Sequence, residues 1–319
     1  MKKILAIILV VIMILTTAPM ALAASKEQLT MGTGGESGTY FAVGGVLANV
    51  LNEKNPDIMN VNVVSTGGSA DNLQNMAFGI YQLATVQSDV MTYAYNGTRS
   101  FAQIGAVPNV RILAGLYAET VQIVTTDPNI KTVADLKGKN VSVGDSGSGV
   151  YFNALDVLGA YDLTLDDIKP TYQSFGDSTE ALQDGKIDAA FIVSGAPTTA
   201  ITSLAATNDV YLVELDDEHI EKLVAASPYY SKNVIAADAY GLEKDATTVA
   251  IAAVIIARDD CSEDAIYDVV AGIFNDVDGL SHAKKDELSL DFAASVSDVP
   301  YHAGAAKYFA EQGITVPTK

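Results

Sequence analysis

Cysteine, tryptophan, histidine and positive charge are all scarce in this 319-residue chain, and each scarcity removes a class of protein. The one cysteine, Cys261, has no partner for an internal disulfide, so an exported chain of this size must be held by its core. A buried structural thiol is expected there. The histidines, His219, His282 and His302, are widely spaced and have no cysteine pair beside them, which argues against a metal centre. Lys and Arg number 19 against 39 Asp and Glu, a formal net charge of −20 that would repel nucleic-acid phosphates and anionic headgroups. No nucleic-acid partner is expected. The apolar run Ile4 to Leu15 falls short of the ~18 residues needed for a permanent membrane helix.

That run follows Lys2-Lys3 and leads to Ala21-Leu22-Ala23, the three-part layout of a secretory signal peptide. Residues 1–23 are expected to be cleaved, leaving an exported protein, periplasmic or otherwise extracytoplasmic. With no cysteine near the cleavage point, a lipid anchor is not expected. The remainder exceeds what one compact core usually serves, so two lobes are the default.

Short β-branched runs alternate with apolar residues at spacings of three and four, the pattern of an α/β chain with mostly parallel sheets. Leu29–Met31 reads as a strand before a helix through Val43, Val46, Leu47, Val50 and Leu51. Val61–Ser65 is a strand, Ser69 an N-cap, and Ala70–Phe78 a helix stopped by Gly79. Tyr81–Val86 ends in Gln87-Ser88-Asp89 before another helix. The pattern restarts beyond Val121: strands at Lys139–Val143, Pro170–Phe175 and Ile187–Val193, a helix at Val150–Leu158 ended by Gly159, and Pro197 placed for a first helical turn. Two apolar stretches, Val121–Thr125 and Val249–Ala257, flank this second set and are expected to be paired crossover strands. Lobe 1 is then 24–122 with 257–319, and lobe 2 is 123–256.

Six strand ends, three in each half, open into Gly/Ser/Thr-rich turns that start helices. In an open α/β sheet, ligands bind outside such ends, where free backbone N–H groups and positive helix dipoles are available. Two lobes facing each other across these loops would enclose a small polar or anionic solute.

Enzyme signals are weaker. Gly144-Asp145-Ser146-Gly147 imitates the nucleophile loop of chymotrypsin-like proteases, whose histidine precedes the serine, whereas all three histidines here follow Ser146. Gly32-Thr33-Gly34-Gly35-Glu36-Ser37 lacks the third glycine of a dinucleotide fingerprint, and no lysine follows Gly38 as an NTPase loop requires. Asp276, Asp278 and Gly279 copy only part of a calcium loop. No cofactor, metal or catalytic residue is expected, a serine hydrolase built on Ser146 being the alternative from a different class.

In these loops the chain resembles the TAXI family of substrate receptors of TRAP transporters. The resemblance is carried by Gly32–Gly35 with Gly38-Thr39-Tyr40, Ser65–Ser69 with Asn72-Leu73, Gln87-Ser88-Asp89, Gly144 with Ser146–Gly149, Gly195 with Pro197, and Pro300–Ala305. It implies a two-lobed periplasmic-binding-protein fold, type II-like, with two crossover hinge strands. It also implies a monomeric receptor that delivers a small carboxylate or amino acid, such as glutamate or 2-oxoglutarate, to TRAP membrane permease subunits. Carried over by position, the ligand residues are Gly35, Thr39, Tyr40, Ser69, Asn72, Gln87, Ser88, Ser146, Ser148, Gly149 and Gly195. The chain departs from the family pattern at Val150, where threonine is usual, and at Ser37, where many members have glycine. A receptor for an ATP-driven importer or a sensor kinase would use the same fold.

Overall fold

A computed structural model describes residues 26–319, so the expected signal peptide lies outside the described residues. The chain begins with β1 (Glu27–Gly32), α1 (Thr39–Lys54), β2 (Met59–Val64), α2 (Ser69–Ala77), β3 (Leu83–Gln87) and α3 (Ser88–Asn96). Val43, Leu47 and Leu51 recur at four-residue spacing, so α1 buries one stripe against the sheet. A short α4 (Phe101–Ile104) leads into the long strand β4 (Val110–Thr125). The second set is β5 (Asn140–Ser142), α5 (Val150–Ala160), β6 (Lys169–Thr171), α6 (Phe175–Gln183), β7 (Ala189–Ser194) and α7 (Thr199–Ala205). There follow β8 (Tyr211–Leu212), α8 (Asp217–Ala226), β9 (Ser231–Ile235), β10 (Ala246–Arg258), α9 (Glu263–Phe274), α10 (Leu290–Ala293) and α11 (Ala303–Glu311).

The strands run in the order β2-β1-β3-β10-β4-β7-β5-β6, with β8 beside β4 and β9 beside β10. Each end of this path is parallel, β2-β1-β3 on one side and β7-β5-β6 on the other. Between them β4 and β10 pair antiparallel from Thr120↔Ala250 to Val110↔Arg258. The two expected crossovers therefore lie in one strand pair that passes from one half of the molecule to the other. β10 meets β9 through residues 246–250 and β3 through 253–257, while β4 meets β7 through 120–124.

The apolar interior divides in the same way. One cluster joins β1–β3, the first part of β4, the last part of β10 and the C-terminal helices. Two more lie in the other half, around Val141, Phe191 and Val249 and around Ile192, Ile201 and Ile235. The C-terminal segment returns to the first half: the Ile112 N–H donates to the Pro300 carbonyl and the His302 N–H to the Ile112 carbonyl, while His302 Nδ1 caps α11 by accepting from the Gly304 N–H. The Pro300–Ala305 motif is thus spent on docking the last helix.

Local expectations needed four corrections. The strand expected at Pro170–Phe175 is only Lys169–Thr171, because Ser174 caps α6 by accepting from the Asp177 N–H and Phe175 already begins that helix. Ser69 is the first residue of α2, not its N-cap; Gly68 takes that place at φ +107°, a conformation that favours glycine. α5 runs through Gly159 to Ala160 because one glycine costs a helix only about 1 kcal/mol, and the chain turns instead at Asp162, φ +57°. Pro197 precedes α7 by two residues, and the helix begins after Thr198 has donated its N–H to the Tyr240 hydroxyl.

Candidate functional site

A cavity of about 70 Å³ lies between the halves, and all six Gly/Ser/Thr-rich strand ends contribute to its wall. From the first half come Gly34, Gly35 and Gly38 after β1, Thr66–Ser69 after β2, and Gln87 at the end of β3. From the second come Asp145, Ser148 and Gly149 after β5, Gln173 and Ser174 after β6, and Val193 and Ser194 at the end of β7. Thr39, Ser69, Val150 and Phe175 begin α1, α2, α5 and α6, and each lines the cavity. Four helix N-termini therefore converge on one small space, each carrying partial positive charge and first-turn N–H groups.

The halves are tied together at its rim. The Thr39 N–H donates to Ser194 Oγ at 3.1 Å, Ser194 Oγ to Thr39 Oγ1 at 2.9 Å, and Thr39 Oγ1 to the Gly195 carbonyl at 3.1 Å. Opposite, the Asp71 N–H donates to the Gly147 carbonyl at 3.0 Å. Lys284 Nζ donates to the Ala196 carbonyl at 2.9 Å and pairs with Glu287. Gly149 comes so close to Gln87 that a Cβ there would lie 1.7 Å from Gln87 Oε1. Glycine is required at that position by the contact between halves, not by its backbone angle, which is helical at φ −74°.

The electrostatics of the wall are one-sided. Its lining includes two acids, Glu119 and Asp145, and no Lys or Arg. Glu119 sits in the middle of β4 with only 2% of its surface exposed. Burial pushes its carboxyl up to about 8, while the Tyr40 hydroxyl and the Gln87 side chain beside it work against that rise. Tyr40, 8% exposed, and the fully buried Tyr117 are also held well above the usual phenol range, by burial first and then by the Glu119 charge. The Tyr40 and Tyr117 hydroxyls and Gln87 Oε1 are buried without a hydrogen-bond partner. Such atoms are costly unless something polar completes them. Deeper still, Asp89 is raised to about 7 by burial, although Val90 N–H donates to it at 2.8 Å and Asn153 Nδ2 reaches it from the other half at 3.2 Å.

Of the residues singled out from the sequence, the cavity brings together Gly35, Thr39, Tyr40, Ser69, Gln87, Ser148 and Gly149. The other four lie outside its lining. Asn72 is fully buried behind it, where Nδ2 donates to the carbonyls of Thr33 at 2.7 Å and Thr85 at 2.9 Å and so ties the residue that follows β1 to the middle of β3. Ser88 starts α3, its carbonyl accepting from Thr92 Oγ1, and Gly195 offers its carbonyl to Thr39. Ser146 is exposed on the outer side of its loop. The histidine rings are engaged elsewhere: His219 with Asp216, His282 with the Lys284 N–H and His302 with the Gly304 N–H. Sequence reasoning missed Glu119. Its only signal was a lone acid within the apolar run Val110–Thr125.

Among the described residues no helix is long and apolar enough to cross a membrane, and no group of three or more acidic, His or Cys side chains could hold a metal ion. Cys261 is buried, and burial pushes its thiol up to about 12.

Comparison with known proteins gives matches along most of the chain. The model of the NMT1-like family matches residues 31–313. Among solved structures, the alkanesulfonate-binding protein SsuA from Xanthomonas axonopodis pv. citri, bound to MOPS, is 18% identical at TM-score 0.50, over 90% of this chain and 85% of that one. A putative L-cystine ABC transporter protein from Listeria monocytogenes is 12% identical at TM-score 0.51, over 84% and 98%. The GluR0 ligand-binding core in complex with L-glutamate is 11% identical at TM-score 0.50, over 84% and 100%. These likenesses are of fold, and the fold is the two-lobed α/β arrangement of periplasmic binding proteins.

Proposed function

The chain belongs to the NMT1-like family, and on that premise we propose that it is a non-enzymatic, extracytoplasmic solute receptor which binds a small carboxylate between two lobes. The lobes are residues 24–122 with 257–319, and residues 123–256. The observation that carries this reading is the cavity at the junction of the halves, where six strand ends and four helix N-termini meet. N-terminal dipoles and backbone N–H groups hold an anion without a cationic side chain, and the wall has none. The enclosed space of about 70 Å³ restricts the ligand to a small one. Within the proposed class the candidates are compact organic acids such as glutamate or 2-oxoglutarate.

In this reading Gly35, Thr39, Tyr40, Ser69, Gln87, Ser148 and Gly149 contact the ligand, and Asn72, Ser88 and Gly195 hold them in place. The partner is a TRAP-type permease, supported by the run of TAXI-like loop motifs from Gly32 to Ala305. The hydrolase alternative finds no support at Ser146, which is exposed, while the three histidine rings bond to other groups.

A thermal-shift screen of dicarboxylates, amino acids, sulfonates and sugars tests the ligand class. An acid at 100 times its dissociation constant stabilises by about 2.7 kcal/mol. Stabilisation by sugars alone would sink the carboxylate reading. For the partner, a neighbouring gene for a fused TRAP-type permease supports the proposal, and one for an importer ATPase opposes it.

A further inference from the structure

Glu119 is the most unusual feature of the cavity wall. The site is suited to an anion, yet an acid stands in it, 2% exposed, on the central strand of the sheet. A carboxylate there would face the ligand with like charge in a water-poor space. The groups that could relieve this are few. Tyr40 and Gln87 reach toward it from α1 and the end of β3, and Tyr117 from its own strand. Asp89, from α3, and Asp145, across the cavity, add further negative charge. Lys284 is a nearby cation that acts on it, and its Nζ is already committed to the Ala196 carbonyl and Glu287. The Tyr40 hydroxyl and Gln87 Oε1 lack partners and are more than nine-tenths buried at the same wall.

We propose that Glu119 is a specificity-determining residue that holds a proton and donates it in a hydrogen bond to an anionic oxygen of the ligand, so that an acid is bound together with one proton. This rests on the carboxylate reading above and adds to it a charge rule. Tyr40 completes the same oxygen or its neighbour, and Gln87 sets the orientation. The proton comes from solvent and stays on Glu119, so no covalent bond changes. The raised carboxyl, about 8, agrees with a neutral acid at ordinary pH. Above that pH an anionic ligand must bring a proton with it. A ligand presenting an ammonium group to Glu119 would show the opposite trend.

Calorimetric titration with 2-oxoglutarate and succinate, which have no titrating group between about pH 6.5 and 9.5, tests the rule in the whole mature protein. Affinity should be flat to about pH 8 and fall about thirtyfold by pH 9.5, one decade per unit above the carboxyl's midpoint. In buffers of different ionisation enthalpy at pH 9.5, binding should take up close to one proton. Glu119→Gln, which keeps a donor and cannot ionise, should show neither the fall in affinity from pH 8 to 9.5 nor the proton uptake at pH 9.5, where Asp89, raised to about 7, is ionised in both proteins. If wild-type protein binds a dicarboxylate with flat affinity and no proton uptake, the charge rule is overturned and the carboxylate reading survives. Affinity that rises with pH overturns it in favour of a cationic ligand group. Failure of wild type and variant alike to bind either acid at any pH overturns both readings together.

Discussion

Burying Glu119 and Asp89 should leave a signature in the stability of the ligand-free protein, with a sign opposite to that of most carboxylates. Glu119 is raised from 4.5 to about 8 and Asp89 from 3.8 to about 7. A group whose pKa is higher in the folded state binds its proton more tightly there. Its contribution to stability is full below the unfolded pKa and is lost as pH climbs through the folded one. For Glu119 the window is therefore pH 4.5 to about 8. At about 1.4 kcal/mol per unit, moving from pH 5 to pH 8 costs about 3–4 kcal/mol through this residue alone. That is a sizeable part of the 5–15 kcal/mol that holds a typical protein folded. Other groups titrate as well. Asp216, lowered to about 2, acts only in acid, and the buried His302, lowered by desolvation, acts with the opposite sign. The difference between wild type and Glu119→Gln cancels both. Urea unfolding at pH 5, 6.5 and 8, without ligand, should show the variant gaining about 3–4 kcal/mol on the wild type across the range. A difference that stays constant with pH would mean that Glu119 is charged in the fold, and the cavity wall could then hold no neutral acid.

Gly149→Ala should weaken binding of a carboxylate at least tenfold, about 1.4 kcal/mol, because its Cβ would meet Gln87 Oε1 at 1.7 Å where the halves touch, and calorimetry reads the loss. Ser146→Ala should change affinity by less than about 0.5 kcal/mol, since the side chain is exposed outside the cavity, and a loss of about 1.5 kcal/mol or more would place it in the site. Small-angle scattering should show contraction on saturation with ligand as the halves close about β4 and β10, and an unchanged radius would argue against a hinge there. Intact mass of protein secreted by its native host should correspond to a chain starting at Ala24.

The six strand ends were legible in the sequence because their chemistry is local. A β-branched run followed by Gly, Ser and Thr before a helical spacing describes a turn whose geometry hardly depends on the rest of the chain. What each side chain does in such a loop is another matter. Ser146 and Ser148 belong to the same Gly/Ser run, yet Ser148 turns inward and donates to the Asp145 carbonyl at 2.7 Å while Ser146 faces out. Asn72 has the chemistry of a ligand contact, and its Nδ2 ties the end of β1 to the middle of β3. Glu119 was illegible for a longer-range reason. A lone acid in an apolar strand gains its meaning only from which face of β4 meets the cavity, and from Tyr40 and Gln87, which arrive from other segments.

The same geometry bears on how a molecule with three apolar clusters would open, as the proposed receptor requires. The ties between halves are mostly polar: Thr39 with Ser194 and Gly195, Ser37 with Thr198 and Ala200, Asp71 with Gly147, Lys284 with Ala196, Asp89 with Asn153, and Arg99 with Asp156 at 2.7 Å. Each contributes about 0.5–1.5 kcal/mol net, or somewhat more where a charge takes part, because water replaces it on opening. Phe152, which enters the first half's core from α5 and meets Tyr93 edge-on at 5.8 Å, and Tyr229, edge-on to the same ring at 6.0 Å, are apolar contacts that cross. Against this stands β10, buried along most of its length and shared by both halves, so the connection survives while the ties exchange. The β10–β4 ladder already shifts register between Ala253 and Val254, near the middle of the pair, where a bend disturbs the fewest ladder bonds. A ligand that contacts both walls need therefore supply only a few kcal/mol of preference for the closed form to move the balance. Glu119 lies on this strand pair and at the cavity wall, and thus its protonation state acts on that balance from the ligand's side of the hinge.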